Sequence, residues 1–164
     1  MLAPAVLFFE VVLAVHIAAI VVAFGVTFAY PVMYAVGIRA EPRAMPAIHR
    51  IQDSVGKRVI TPGIVVALAA GIYLACKLHV WSHFYVQWGF AAIIVLGGLG
   101  GAFFAPQERR LAILAERDVT ASGEGDVVFS DEYKALRHRV LSVALLSNVL
   151  VLATIYFMTT HTGS

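Results

Sequence analysis

The amino-acid sequence predicts an all-α, polytopic membrane protein: a four-transmembrane-helix bundle with its N-terminus and C-terminus outside. The first observation is composition, because the chain is 60% hydrophobic and 13% charged, whereas charged residues make up about a quarter of a soluble domain. The second is that apolar residues collect in four runs, each close to the roughly 20 residues that a helix needs to cross a bilayer core. The third is the distribution of basic residues between these runs.

Basic residues concentrate in two of the three connections and predict the orientation. Eleven of the twelve Lys and Arg lie in the connections 37–58 and 106–139, and the remaining one is Lys77. Under the positive-inside rule both of these connections are cytoplasmic and both termini face outward. The net charge of +2 therefore indicates topology and contact with the lipid bilayer, and no nucleic-acid partner is predicted.

The first span is predicted at about residues 5–36. No Lys or Arg precedes it, and its apolar run is longer than the core of a signal peptide, so we expect a span that is not cleaved. Pro31 removes a backbone donor and is expected to bend this helix, and Gly37 is expected to end it. We expect the whole chain, 1–164, to form a single four-helix domain.

The second span is predicted at about residues 59–77. Just before it, residues 47–58 place three apolar side chains at helical spacing beside charges, which predicts a short amphipathic helix in the membrane interface. These apolar residues are Ile48, Ile51 and Val55. His49 and His138 neighbour arginines at the same boundary, and both are expected to contact lipid headgroups.

The third span is predicted at about residues 84–105. It contains the segment GGLGG, in which Gly97 and Gly101 form a GxxxG pair. Small residues let membrane helices approach closely. The pair is therefore expected either to pack within the bundle or to form the contact face of a homo-oligomer or of a membrane-protein partner.

The fourth span is predicted at about residues 140–160. The connection that leads to it contains Gly123 and Gly125 in a polar stretch, which predicts a mobile loop. Ser130 follows, with charged residues directly after it, and is expected to cap a helix that continues into the span.

His16 is the most prominent polar residue inside a predicted span. It lies near the middle of the membrane, and a projection at roughly 100° per residue puts Thr27 and Tyr30 on its face. Asn148 belongs to a similar polar wedge in span four. Imidazole offers a nitrogen to haem iron and titrates near about pH 6.5. The group predicts either a haem or proton-transfer site at His16, or a neutral histidine that is hydrogen-bonded to a hydroxyl or to Asn148 for packing.

A second group of polar residues belongs to the predicted outer end. His79 and His83 are four residues apart and would share a face if this segment is helical, and Glu10 and His161 belong to the same end. Imidazole suits zinc, copper and nickel. The four residues predict either an outer-leaflet metal site or interfacial histidines within a belt of aromatic residues.

The order of these features resembles a bacterial family of four-helix predicted integral membrane proteins of unknown function. The resemblance is carried by VHIAAIVVAFGVTFAYPVMYA in span one and VITPGIVVALAAGIYLA in span two, and it covers nearly the whole chain. His16 and Gly25 match the first-span pattern of that family, and Pro62 and Gly71 match the second-span pattern. The resemblance implies location in the bacterial cytoplasmic (inner) membrane.

Two further families are similar at a greater distance. Similarity to the membrane-bound bacterial protoporphyrinogen oxidase implies haem-pathway redox chemistry and a bound haem, although this chain lacks the histidines of that enzyme's third span. Similarity to copper-resistance membrane domains implies metal handling in the outer leaflet.

The predicted function is that of a structural or accessory membrane component rather than an enzyme. Paired carboxylates, a nucleophile beside a base and a charged relay through the membrane are all missing from the sequence. One alternative is a haem- or quinone-linked redox protein that uses His16. The other is outer-leaflet metal handling by His79 and His83.

Overall fold

A computed structural model describes residues 4–161, with side chains from residue 7 onward, and this part of the chain is helical without any strand. The α-helices are α1 (Pro4–Gly25), α2 (Tyr30–Ala40), α3 (Met45–Val55), α4 (Thr61–Leu78), α5 (Phe84–Gly98), α6 (Ala105–Ala121) and α7 (Asp131–Thr160). Tighter 3₁₀ turns occupy Val26–Ala29 and Pro42–Ala44, and wider π turns occupy Gly56–Ile60 and Leu99–Phe104.

These elements join into four long helices, each long and apolar enough to cross a membrane, as predicted. They are Leu7–Ala40, Pro42–Leu78, Phe84–Ala121 and Asp131–Thr160. Each of them is longer than the predicted span within it at the end that carries the basic residues. We call this the basic end; the opposite end holds the connection between α4 and α5. Both chain termini lie outside the described residues.

The irregularity predicted at Pro31 takes the form of the 3₁₀ turn that directly precedes α2. Proline has no N–H to donate to the carbonyl oxygen of Thr27, four residues earlier. That oxygen instead accepts from the Tyr30 N–H and, at 3.4 Å, from the side-chain amide of Asn148. Helix α2 then continues without a break to Ala40.

Gly37 does not end the helix, so that prediction is wrong. It lies within α2 and is buried. A Cβ atom at this position would lie 2.7 Å from both Ile48 Cδ1 and Met45 Sδ, which is closer than van der Waals contact allows. Glycine therefore lets α2 and α3 pack against each other, and α2 ends four residues later than expected.

Helix α3 forms in the segment where a short amphipathic helix was predicted, and its location in a membrane interface stays a prediction. It continues through the π turn into α4 and packs along α6. Its buried face consists of Met45, Pro46, His49 and Gln52. Ile51, expected on the apolar face, is 53% exposed. The face of α3 that is buried therefore includes two polar side chains, His49 and Gln52, and leaves Ile51 exposed.

The bundle consists of two helical hairpins. Helix α1 packs along α4 in the first hairpin, and α5 packs along α7 in the second. Midway along the bundle, small and branched apolar side chains from both hairpins meet: Ala19, Ala67 and Ile93. At the basic end a second core contains larger side chains, among them Tyr34, Met45, Leu111, Leu114, Tyr133 and Val140.

Candidate functional site

A cavity of about 310 Å³ lies between the two hairpins, from the mid-bundle apolar layer toward the basic end. Its floor is apolar and includes Phe24, Ile64 and Val151. The glycines of GGLGG and several polar side chains also line it, among them Thr27, Tyr30, Gln52, Glu108 and Asn148. Cavities of this kind, mostly apolar with a few convergent polar groups, are typical of ligand sites.

The glycines of GGLGG leave room for this cavity. Gly97, Gly100 and Gly101 all line it. A Cβ atom at Gly100 or Gly101 would meet nothing within 4 Å, and one at Gly97 would meet only Ile64 Cγ2 at 3.7 Å. Within the described chain, these glycines therefore provide space rather than close contact between backbones. Their use as the contact face of a homo-oligomer stays a prediction.

Gln52 is the most informative residue of the cavity wall. It is only 2% exposed, yet neither its amide nitrogen nor its amide oxygen has a hydrogen-bond partner among the described residues. The buried hydroxyl of Tyr30, on the same wall, also has no protein partner. An unpaired buried polar group costs about 1–3 kcal/mol. Such groups need an explanation in the function of the site or in a bound molecule.

Next to Gln52, four buried side chains form a continuous hydrogen-bonded chain. The Tyr34 hydroxyl donates to Glu108 Oε1 at 2.5 Å, and His49 Nδ1 lies 2.7 Å from Glu108 Oε2. His49 Nε2 lies 3.0 Å from the Tyr133 hydroxyl. Helices α2, α3, α6 and α7 each contribute one of these residues, so the network ties both hairpins together at the basic end.

The network holds a carboxylate in place at the cavity wall. The Tyr34 hydroxyl contacts Oε1 and the His49 imidazole contacts Oε2, so both carboxyl oxygens of Glu108 are engaged. The order hydroxyl, imidazole, carboxylate is that of a catalytic triad. However, Tyr133 is 0% exposed, so its hydroxyl is out of reach of any substrate. Glu108 is the member of the triad-like arrangement that lines the cavity.

The role of His49 was missed by the sequence prediction. It was expected to contact headgroups but is 0% exposed, so that prediction is wrong; His138 is exposed. Charged neighbours suggested an exposed position, because Arg50 follows it directly. A signal existed in the spacing, since Met45, His49 and Gln52 recur at i, i+4 and i+7 and thus share one helical face.

Thr27, Tyr30 and Asn148 all line the cavity, whereas His16 lies apart from it. The Thr27 hydroxyl is 2.7 Å from the Phe24 carbonyl oxygen and 2.8 Å from Asn148 Oδ1, which links the two hairpins. His16 Nδ1 donates to the Ala67 carbonyl oxygen at 2.8 Å. The structure therefore separates the predicted histidine from the other residues of its group.

His16 instead joins α1 to α4. A Cβ atom at Gly71 would lie 3.2 Å from the Cε1 atom of the imidazole ring, so this glycine allows the ring to lie close to the α4 backbone. The imidazole is hydrogen-bonded, but to a backbone carbonyl rather than to the hydroxyl or Asn148 that the packing alternative expected. Its role as a haem ligand stays a prediction.

The four residues predicted for an outer metal site do not form one cluster. In the described part of the chain, no three His, Cys, Asp or Glu side chains converge enough to hold a metal ion. His79 ends α4 in the left-handed conformation, with φ of 58°, so the shared helical face expected for His79 and His83 does not form. Tyr85 lies between His83 and His161, with ring centroids 5.6 and 5.1 Å away, and Glu10 is exposed.

Comparison with known proteins gives no further guide to the site. No family model, curated protein or solved structure matches this chain. The resemblance to the four-helix membrane family stays a prediction. The cavity, with the unpartnered Gln52 amide and the anchored Glu108 carboxylate, is the feature from which a function is inferred.

Proposed function

We propose that this protein is a multi-pass component of the bacterial inner membrane that binds a small ligand in the cavity between its hairpins. The observation that carries the proposal is the Gln52 amide, which is buried, unpartnered and located on the cavity wall. A ligand with a hydrogen-bonding group would satisfy this amide together with the Tyr30 hydroxyl. The cavity of about 310 Å³ is at the lower end of the range of ligand pockets.

The proposed role is accessory rather than catalytic. Glu108 is held by two donors, and the only hydroxyl–imidazole pair of the network ends at the inaccessible Tyr133. The described walls of the cavity contain amide and hydroxyl groups that can bind and orient a ligand. The hydroxyl that lies against the Glu108 carboxyl group is that of Tyr34, which is only 2% exposed.

The basic end is proposed to be cytoplasmic, with both termini outside. The concentration of Lys and Arg in the connections at this end supports the orientation. Cysteines introduced one at a time at His79 and Ser122, in a Cys76→Ala background, test it in intact cells with a membrane-impermeant maleimide. Labelling at position 79 but not at 122 is the expected result, and the reverse pattern would refute the topology.

Extraction of the purified protein tests ligand binding directly. The protein in detergent-free nanodiscs is extracted with organic solvent, and the extract is analysed by mass spectrometry. A molecule enriched with the wild-type protein should be lost in Gln52→Leu and in Gly100→Leu, which fills the cavity. Gly98→Leu is the matched control, because Gly98 belongs to the same segment but does not line the cavity. If no molecule distinguishes wild type from Gln52→Leu, the proposal fails.

A haem-linked function of His16 is the second candidate, and one contact favours it. Histidines that bind a metal usually donate their other ring N–H to a carbonyl or carboxylate, as His16 does to Ala67. Its Nε2 would be the iron ligand, and haem would supply electron-transfer chemistry. A Soret band that shifts with dithionite and disappears in His16→Ala is expected. A featureless spectrum from cells supplied with haem would exclude this candidate.

A further inference from the structure

The cavity opens at the lateral surface of the bundle, between the second and third long helices. Among its wall residues, only four are exposed to the surroundings: Lys57, Thr61, Gly101 and Arg109. The first two lie on the second long helix and the other two on the third. All other described wall residues are buried or half-buried. We call the opening between these four residues the portal.

Two π turns flank the portal. One is Gly56–Ile60 in the second long helix, and the other is Leu99–Phe104 in the third. Toward the basic end, α3 and α6 pack together, and toward the mid-bundle Ala67 and Ile93 are in one apolar cluster. Between these contacts a Cβ atom at Gly56, Gly100 or Gly101 would meet nothing within 4 Å. The second and third long helices thus pack together on the basic side and on the mid-bundle side of the portal, whereas their backbones stay apart at the portal itself. π turns of this kind occur frequently at functional sites.

The two edges of the portal differ in polarity. At the basic edge, Asp53 forms ion pairs with Lys57 and, at 3.4 Å, with Arg109. At the other edge the wall is apolar, with Ile64 and Leu96. The outer surface of the helices beyond this edge is also apolar, since Val65 and Ile94 are 60% and 67% exposed. In a membrane, the portal would lie where headgroups meet acyl chains.

We infer that the cavity receives the head group of an amphiphile dissolved in the membrane, which enters through the portal and carries an uncharged hydrogen-bonding head. The inference rests on the proposed ligand-binding function and names the class of its ligand. The apolar edge accommodates the chain of such a molecule, while the head reaches the Gln52 amide, a polar group that is 98% buried and unpartnered.

The charge of the head group follows from the pairing of the ionic residues. Glu108 is held by Tyr34 and His49, and Asp53 is held by Lys57 and Arg109. Lys57 and Arg109 share the one Asp53 carboxylate, so positive charge is in excess at the exposed portal. Deeper in the cavity, beside Gln52, a charged head would find no free counter-charge among the described wall residues, which is costly. The buried wall groups without a partner there are the neutral Gln52 amide and Tyr30 hydroxyl. These groups suit carbonyl, hydroxyl or amide groups on a ligand.

Three matched probes test the inference on the full-length protein in phosphatidylcholine nanodiscs. Decyl para-hydroxybenzoate has a neutral head and a chain, para-decyloxybenzoate has a charged head on the same chain, and methyl para-hydroxybenzoate lacks the chain. Thermal unfolding is followed by circular dichroism. A ligand at about 100 times its Kd should raise the unfolding temperature by roughly 5–10 °C in a chain of this size.

The expected result is a shift with the neutral decyl probe in wild type and in Gly98→Leu. The shift should be absent in Gly100→Leu and in Gln52→Leu, whose normal helical spectra would show that they fold. An equal shift with the charged probe would overturn the inference, as would persistence of the shift in both cavity variants. An equal shift with the methyl ester would overturn entry from the bilayer while leaving the proposed binding function intact. Failure of the proposed function itself appears separately, as no enriched molecule in the extraction.

Discussion

Replacement of His49 by leucine should destabilise the protein more than any exposed substitution at the same end of the bundle. His49 is 0% exposed, and its two ring nitrogens contact Glu108 at 2.7 Å and Tyr133 at 3.0 Å. Breaking one side of a buried ion pair costs about 3–5 kcal/mol. In this variant the Glu108 carboxyl group stays buried with the Tyr34 hydroxyl as its remaining partner. The Tyr133 hydroxyl also loses its partner, which adds to the cost.

The free energy of unfolding is measured in mixed micelles with an increasing fraction of sodium dodecyl sulfate. His138→Leu, at an exposed histidine, is the matched control and should change stability by less than about 0.5 kcal/mol. In the double variant His49→Leu, Glu108→Leu, the carboxyl group that loses its imidazole partner is absent as well. The loss of unfolding free energy in the double variant should therefore be smaller than the sum of the losses in the two single variants, by about 1–3 kcal/mol. A cost for His49→Leu below about 1 kcal/mol, or strict additivity in the double variant, would refute the coupling between these residues.

Three further predictions concern packing and capping, and the same unfolding measurement checks each of them. Gly37→Ala should destabilise the protein by about 1–3 kcal/mol, since the new Cβ atom would overlap Ile48 and Met45. Gly98→Ala should stabilise it by up to about 1 kcal/mol, because no atom lies within 4 Å of the new Cβ atom. Equal effects of the two substitutions would contradict the packing of α2 against α3. Ser130→Ala should cost about 1–2 kcal/mol, because the Ser130 hydroxyl caps α7 and accepts from the Tyr133 N–H; no loss would argue against the cap. Thr27→Val should lower the free energy of unfolding by about 0.6–1.7 kcal/mol, because it removes the hydrogen bond to Asn148. In an Asn148→Leu background the same substitution should have no such effect.

Long helices were predicted well because their signal is local. Each apolar run is long enough to span a bilayer core by itself, so no knowledge of its neighbours is required. The helix ends at the basic side were less accurate. The first helix passes Gly37 because that glycine serves contact with α3. The buried face of α3, which packs along α6, includes His49 and Gln52 rather than Ile51. Both differences come from tertiary contacts that outweigh local preference.

The candidate site was only partly predictable for a geometric reason. Helical projection correctly grouped Thr27 and Tyr30, which line one cavity, but it also included His16, which contacts Ala67 instead. The 3₁₀ and π turns within the long helices change the number of residues per turn. A helical projection at a constant angle therefore becomes inaccurate across them. Gln52 and Glu108 lie beyond such turns, where the sequence showed only charged and polar residues near a basic connection.

The sequence by itself determined that the chain forms four long apolar helices, and its basic residues predict which end faces the cytoplasm. Composition and charge distribution suffice for this because hydrophobic transfer is additive over neighbouring residues. Only the tertiary structure decided that the hairpins leave a cavity, that His49 and Glu108 meet in its wall, and that Gln52 faces it unpartnered. Those properties depend on which faces of distant helices meet, and close packing of side chains selects these faces through many weak contacts between residues far apart in the chain.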